Sequence, residues 1–174
     1  MEKSAIRHYA KEIRAALDIK GISQILTERI SSLEEYKPSK TVLLFYPKAG
    51  EIDITGLAIN SDKNFCLPKT RNGEIIPCCW NSNTQLKLGA YDIYEPCSER
   101  IPQNNLDIII LPGLCADKNR NRLGYGKGCY DKFLANTDAL TILPIPDEML
   151  FDNIPAESHD IKPDIIITPT KIIR

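Results

Sequence analysis

The residues best suited to chemistry in this chain lie in one loop late in the sequence. Within residues 124–128, glycine occupies every second position, and a tyrosine and a lysine fill the positions between them. Because glycine lacks a Cβ, backbone N–H groups in such a loop can approach an anion closely. The apolar run Leu106–Leu111 precedes the loop, and a predicted helix, Tyr130–Leu134, follows it. This order of strand, basic glycine loop and helix favours phosphate binding.

The glycine loop fits neither of two familiar phosphate-binding motifs. A Walker A loop needs a serine or threonine after its lysine, whereas Gly128 follows Lys127. The dinucleotide-binding fingerprint also fails, because the third glycine comes one residue early. The spacing alone therefore indicates either a loop that an anion can approach or a tight turn that needs positive φ angles.

The charges of the chain are nearly balanced overall but are unevenly distributed. The formal net charge of the 174 residues is −1, so we expect no nucleic-acid or membrane partner. Residues 117–132 are basic and residues 138–164 are acidic. This asymmetry suits a site that holds an anion together with a divalent metal. Two ordinary solvated surfaces are the alternative.

The N-terminal segment predicts an amphipathic helix over residues 3–18. Its basic residues form a stripe beside the apolar stripe instead of opposite to it, so they emerge at the rim of the buried face. The members of this basic stripe are Lys3, Arg7, Lys11 and Arg14. From that rim they could lean over a cleft, or they could form a solvated face.

The remaining patterns predict an α/β fold: a single three-layer domain spanning 1–174, with a largely parallel central sheet flanked by helices in a Rossmann-like topology. A second helix is predicted over 22–36 and a short one up to Ile59. Strands are predicted over 41–46, 64–68, 75–80, 106–111, 139–143 and 164–168. The Gly50-Glu51 loop and the glycine loop both follow strands, so we expect them to face one crevice.

The six cysteines and two histidines form no metal-binding or nucleophile pattern. We interpret the cysteines as reduced thiols of a cytoplasmic protein. The N-terminus shows no secretory signal, and no apolar run is long enough to span a membrane. We expect His8 and His159 at the surface, and a monomeric protein.

The glycine loop and its surroundings closely resemble the signature of the 5-formyltetrahydrofolate cyclo-ligase family, also called methenyltetrahydrofolate synthetases. The matching residues are Leu111-Pro112-Gly113-Leu114, Asp117, Asn121 through Gly128, and Tyr130-Asp131. Weaker matches follow in the right order along the chain: Lys3 through Arg7, Phe45-Tyr46, Glu51-Ile52, Cys66 through Lys69, Tyr94 through Pro96, and Asp160 through Asp164.

This resemblance implies an enzyme that uses ATP and Mg²⁺ to convert 5-formyltetrahydrofolate into 5,10-methenyltetrahydrofolate, releasing ADP and phosphate. The formyl oxygen would accept the γ-phosphoryl group, and a second folate nitrogen would then displace phosphate. The implied ATP-binding residues are Lys3, Ser4, Ala5, Ile6, Arg7, Arg122, Leu123, Gly124, Tyr125, Gly126, Lys127, Gly128, Cys129 and Tyr130. The implied folate contacts are Tyr46, Glu51, Tyr125, Gly126, Lys127, Gly128 and Cys129. The implied magnesium ligands are Asp131 and Asp160.

We predict catalytic roles for Lys127, Arg122 and Tyr125, since phosphoryl transfer depends on positioning and charge stabilisation more than on protein nucleophiles. Two residues depart from the family pattern, because Cys129 and Ala116 stand where aromatic residues are usual. We expect both to affect the shape of the pocket.

The same residues, and the chain as a whole, allow other interpretations. Asp131 could complement a helix dipole, Glu51 could be a helix N-terminal charge, and Asp160 could be a surface acid. The whole chain could be a folate- or nucleotide-binding regulator without turnover. It could also be a sugar-phosphate or acyl-CoA enzyme on a similar scaffold.

Overall fold

A computed structural model describes residues 2–174 of the chain. The helices are α1 (Lys3–Ala15), α2 (Ile19–Ser31) and α3 (Cys129–Leu134). The strands are β1 (Thr41–Leu43), β2 (Asn64–Arg71), β3 (Glu74–Trp80), β4 (Leu86–Leu88), β5 (Tyr94–Pro96), β6 (Ile108–Ile110), β7 (Cys115–Asp117), β8 (Arg122–Leu123), β9 (Leu140–Pro144), β10 (Leu150–Phe151), β11 (Ile165–Ile167) and β12 (Ile172–Ile173). Short 3-10 helices at Thr55–Ala58, Ala90–Asp92, Gln103–Asn105 and Asp147–Met149 lie between them.

The central sheet has seven strands in the order β12-β11-β9-β6-β1-β2-β3. The five inner strands are parallel, and β3 and β12 pair antiparallel at the two edges. The predicted edge position of the strand over 75–80 is therefore confirmed; Pro77, which lacks an N–H, lies in that edge strand. Across the sheet the five parallel strands lie in the order β2-β1-β6-β9-β11, so the first of them along the chain lies between the second and the third. This is a doubly wound arrangement, as the sequence predicted.

Alternate residues of the inner strands point to opposite faces of the sheet, and each face is covered by helix. Leu43 and Ile109 pack on the side of α1 and α3. Val42 and Ile108 pack on the side of α2. Because both faces are buried, these strands are continuous apolar runs instead of alternating ones. The three-layer prediction is confirmed.

The predicted element bounds were too wide at several places. The first helix ends at Ala15 instead of residue 18, because Asp18 begins the next helix by accepting the Gly21 amide at 3.1 Å. The second helix accordingly begins at Ile19 and ends at Ser31, not at Tyr36. The ladder of the strand predicted over 41–46 ends at Leu43, after which the chain leaves the sheet to form one wall of a cavity.

Two small sheets were not predicted, because their strands are short and have no clear periodicity. One joins β10, β7 and β8 and packs on the α1 face, and the other is the β4–β5 hairpin. The β7–β8 hairpin separates β6 from the glycine loop. The strand that immediately precedes the loop is therefore the two-residue β8, not the apolar run that the sequence indicated.

The surface features agree with the sequence in part. In the described chain all six cysteines are free thiols, and four of them are buried. His8 and His159 have exposed side chains, as predicted. Among the helices of residues 2–174, none is both long and apolar enough to cross a membrane.

We predict that Asp117 is a main determinant of stability around the β7–β8 hairpin. Its fully buried carboxylate accepts the amides of Asn119, Asn121 and Ile154 at 2.9 to 3.0 Å. Asp117→Ala leaves these donors without an acceptor and should lower the free energy of unfolding by about 3 kcal/mol. Urea denaturation measures this change.

Asp152→Ala is the matched control, because Asp152 bonds only to the exposed Lys118 at the surface. That variant should unfold at the wild-type urea concentration. Equal losses in the two variants would contradict the role given to Asp117.

Candidate active site

A cavity of about 510 Å³ opens where β1 and β6 lie side by side in the sheet. After β1 the chain passes to one side of the sheet, and after β6 it passes to the other, so their carboxyl ends diverge and leave a crevice. Tyr46 and Glu51 follow β1, Pro112 follows β6, and all three line the cavity. The expectation that the Gly50-Glu51 loop and the glycine loop share one crevice is confirmed.

The glycine loop forms one wall of this cavity. Gly126 and Gly128 have φ angles of 91° and 67°, which side-chain-bearing residues rarely adopt. Within residues 2–174, the five amides of positions 124–128 have no hydrogen-bond acceptor. A loop with several free N–H groups at a cavity wall suits an anion. α3 has only six residues, so its dipole adds little to that attraction.

The N-terminal helix holds the glycine loop from behind. Arg7 Nε donates to the Gly124 carbonyl at 2.9 Å. A Cβ added to Gly126 would lie 3.2 Å from the guanidinium carbon of Arg7, so the arginine would have to shift to accommodate it. Of the predicted basic stripe, Lys3, Arg7 and Arg14 reach this region, whereas Lys11 is exposed.

Lys3 and Asp160 form an ion pair at the mouth of the cavity. Lys3 Nζ lies 2.6 Å from Asp160 Oδ2 and 3.4 Å from Glu157 Oε2. Burial alone would lower the pKa of Lys3, but the hydrogen bond and charge of Asp160 outweigh it and raise that pKa. Burial also opposes the charge on Asp160, and the Lys3 and Glu157 hydrogen bonds nevertheless lower its pKa. Both groups are therefore charged at neutral pH.

Arg122 and Asp131 form a second, more buried ion pair. Arg122 Nη2 donates to Asp131 Oδ1 at 2.8 Å, and the Ile161 amide donates to the same oxygen at 3.2 Å. The Arg122 side chain is 5% exposed and that of Asp131 21%. Arg122 Nη1 also donates to the Pro112 carbonyl at 3.3 Å, which joins the start of α3 to the end of β6. The bond from Arg122 to Asp131 gives Asp131 a structural role beyond a helix-dipole charge.

Two buried polar atoms of cavity-lining residues lack partners among the described residues. They are Nε of Arg122 and the hydroxyl of Tyr130. Burial raises the pKa of Tyr130, so its phenol keeps its proton. Buried donors are costly to leave unpaired, and donors at a cavity wall can be satisfied by a bound ligand.

The far end of the cavity is aromatic. Tyr46 lines the cavity, and its ring meets that of Tyr94, which lies outside the lining, edge to face with centroids 5.6 Å apart. Tyr125 also lines the cavity, and its hydroxyl accepts a hydrogen bond from Arg14 at 3.0 Å. Glu51 accepts the Lys48 amide at 2.8 Å and faces the cavity with its remaining acceptor capacity. A flat heterocycle with N–H groups on its edge matches such a surface.

Most of the residues predicted for the site line this cavity. They are Lys3, Arg7, Tyr46, Glu51, Arg122 through Asp131, and Asp160. Ser4 and Ala5 are exposed and Ile6 is packed in the core, so these three side chains do not line it. Ala116 does not line it either. The expectation that it shapes the pocket is wrong, because it is fully buried in β7 opposite Arg122.

Sequence reasoning missed the contribution of the β4–β5 hairpin. Tyr91 and Asp92 have φ angles of 59° and 56°, a strained conformation for residues with side chains. The Tyr91 ring lies 5.3 Å from Lys127 Nζ, and its hydroxyl lies 3.8 Å from Cys129 Sγ. Glu95 fixes the hairpin to β2 by accepting the Thr70 amide at 2.8 Å. No periodicity indicated this placement, although Tyr94-Glu95-Pro96 matched the family in sequence.

The fold and the cavity together define a class of protein. A doubly wound sheet with a basic glycine loop, paired carboxylates and an aromatic wall at its switch point is typical of α/β enzymes that act on phosphorylated ligands. The sequence model of the 5-formyltetrahydrofolate cyclo-ligase family matches residues 1–169. The chain belongs to this family and is an enzyme of it.

Comparisons with individual proteins agree. The chain is 28% identical to a 5-formyltetrahydrofolate cyclo-ligase from Haemophilus influenzae, over 92% of this chain and 94% of that protein. It is 30% identical to one from Mycolicibacterium smegmatis, over 76% and 75% of the two chains. The solved 5,10-methenyltetrahydrofolate synthetase from Aquifex aeolicus aligns with a TM-score of 0.88 and 32% identity, covering 100% of this chain and 93% of that one. A synthetase from Mycoplasma pneumoniae, with 22% identity, a TM-score of 0.78 and coverage of 96% and 98%, shares the fold.

We predict that Gly126→Ala weakens anion binding by the glycine loop. The new Cβ would displace Arg7, and the positive φ adds backbone strain of about 1 kcal/mol. Titration calorimetry with inorganic tripolyphosphate should show a loss of affinity of about tenfold or more.

Gly73→Ala is the control, because Gly73 also has a positive φ, of 77°, but an added Cβ there meets nothing within 4 Å. It should lose a similar amount of thermal stability and keep wild-type tripolyphosphate affinity. Parallel affinity losses in both variants would argue against an anion-binding loop.

Proposed function

We propose that this enzyme catalyses the ATP- and Mg²⁺-dependent cyclisation of 5-formyltetrahydrofolate to 5,10-methenyltetrahydrofolate, with release of ADP and phosphate. The observation that supports this most directly is the single cavity that brings a basic glycine loop, two carboxylates and an aromatic wall together. Family membership gives the substrate class. The named activities of the relatives are consistent with it.

The residues at the glycine-loop end fit a nucleotide triphosphate. Lys3, Arg7, Arg122 and Lys127 supply positive charge from three directions, and the free loop amides supply neutral donors. The unpaired Nε of Arg122 is a further donor that such a ligand would satisfy. ATP, when bound, would supply the phosphoryl group that makes the formyl oxygen a leaving group.

Asp131 and Asp160 fit a magnesium ion in the chemistry of their donor set. Mg²⁺ prefers oxygen ligands and keeps several waters, so one or two carboxylates are sufficient. Each of these carboxylates lies beside a basic residue, Arg122 or Lys3, that suits phosphate. A phosphate-bound cation could therefore approach the carboxylates while the phosphate oxygens approach the arginine and the lysine.

The remaining groups orient the folate and stabilise the charge that develops during the reaction. Glu51 accepts from the N–H edge of the pterin, and the Tyr46 ring packs against the flat ring system. Lys127 projects from the glycine loop over the Tyr91 ring, where it would stabilise negative charge on the oxygen being phosphorylated. Tyr125 lines the same cavity as Glu51. We assign Cys129 a packing role against Tyr91, since the reaction needs no thiol nucleophile.

Incubation of the purified protein with Mg-ATP and 5-formyltetrahydrofolate tests the proposal. We expect the absorbance of the methenyl product to grow, with one ADP and one phosphate for each turnover. Lys127→Met should lower kcat by about two orders of magnitude or more, because one charge-stabilising group is lost. Lys132→Met is the matched control, since Lys132 is exposed on α3 and lies outside the cavity. The proposal fails if wild-type protein forms no methenyl product and leaves ATP unhydrolysed.

We also predict that Asp131→Asn raises the magnesium requirement. Asparagine keeps the shape of the side chain but loses the charge that attracts a hard cation. The midpoint of a magnesium titration, followed both by turnover and by calorimetric binding of Mg-ATP, should rise about tenfold. Asp138→Asn, at an exposed position after α3, should leave the midpoint in place. An unshifted midpoint in Asp131→Asn would remove that residue from the metal site.

A further inference from the structure

Arg14 is a buried cation that has no role in the proposed reaction as described above. It is the last member of the basic stripe on α1, and only 7% of it is exposed. It does not line the cavity, and within residues 2–174 it has no carboxylate partner. A buried charge without an opposite charge lowers stability unless its hydrogen bonds compensate. Its position therefore requires an explanation.

The hydrogen bonds of Arg14 connect α1 to two parts of the active-site wall. Nη2 donates to the carbonyls of Gly113 and Leu114 at 2.7 and 3.1 Å, at the turn that follows β6. Nη1 donates to the hydroxyl of Tyr125 at 3.0 Å, in the centre of the glycine loop. Arg7, two turns earlier on the same helix, holds the carbonyl of the adjacent Gly124. The two arginines thus form hydrogen bonds with neighbouring residues of the loop.

The donor and the acceptor of the hydrogen bond between Arg14 and Tyr125 can be assigned. Arg14 has no acceptor, so the Tyr125 oxygen must accept from it, and the phenolic proton is left to point elsewhere. Glu51 lines the same cavity and is an acceptor that this proton can reach. Burial, with the charge and hydrogen bond of Glu51, raises the pKa of Tyr125 against the effect of Arg14, so the phenol stays protonated.

We propose that Arg14 is a positioning residue: by donating to the Tyr125 hydroxyl it directs the phenol toward Glu51 and fixes both side chains at the folate end of the cavity. The inference rests on the proposed function, in which Glu51 binds the pterin. Arg14 does not touch the substrate. It orders the group that the substrate meets.

A double-mutant cycle on folate binding tests this inference. The variants are Tyr125→Phe, which removes the hydroxyl and keeps the ring, Arg14→Met, and the two combined. Each single variant should weaken 5-formyltetrahydrofolate binding about tenfold, the scale of one hydrogen bond to a charged group. The double variant should be no weaker than Arg14→Met.

Lys11→Met is the matched control, since Lys11 belongs to the same stripe but is exposed. It should bind both ligands as the wild type does. If Arg14→Met does not fold, Tyr125→Phe still decides, because it keeps the bonds to Gly113 and Leu114. Additive losses in the cycle, or wild-type folate affinity in Tyr125→Phe, would overturn the inference alone. A wild-type protein that binds no folate would overturn it together with the proposed function.

Discussion

The conformation of the glycine loop is stabilised by bonds from other elements and not by its own contacts, and the rest of the site depends on these bonds. Its five amides have no acceptor in residues 2–174, and two of its glycines have positive φ angles. Such a segment costs conformational entropy and gains little from its own contacts. The order comes from outside, through Arg7 and Arg14 on α1 and through the Arg122–Asp131 pair at its ends. Because these bonds use the Gly124 carbonyl and the Tyr125 hydroxyl, they leave the loop amides unbonded.

Contacts between distant segments also explain why a near-neutral chain has a strongly charged site. The basic segment and the acidic segment are brought together by the fold, so that Lys118 meets Asp152 at the surface while Arg120 donates to the Asp164 carbonyl. Lys3 adds its charge from the opposite end of the chain. Two of the cations at the cavity wall, Lys3 and Arg122, are paired with carboxylates, which reduces the repulsion among the cations there. The pairing of Lys118 with Asp152 is a solvated surface contact, as the alternative interpretation of the charge pattern expected.

The sequence predicted the layers, the parallel sheet and most of the cavity lining, because buried apolar runs and a specific glycine motif report directly on those features. It could not predict the short strands β7, β8 and β10, which are held by Asp117 and not by periodicity. It also missed Tyr91, since a strained backbone leaves no signature in residue types. Ala116 shows the limit of motif comparison. A position next to the signature in sequence faces the core in the structure.

The pair of Lys3 and Asp160 joins residues that are 157 positions apart. Contacts of such separation form late, because closing a long loop costs entropy before the contact stabilises it. During synthesis α1 leaves the ribosome first, whereas Gly113, Tyr125 and Asp160 follow much later. The apolar stripe of α1 therefore lacks its packing partners until those residues have been made. The cavity can form completely only after Asp160 has been synthesised, although Lys3 and Arg7 in its wall are made long before.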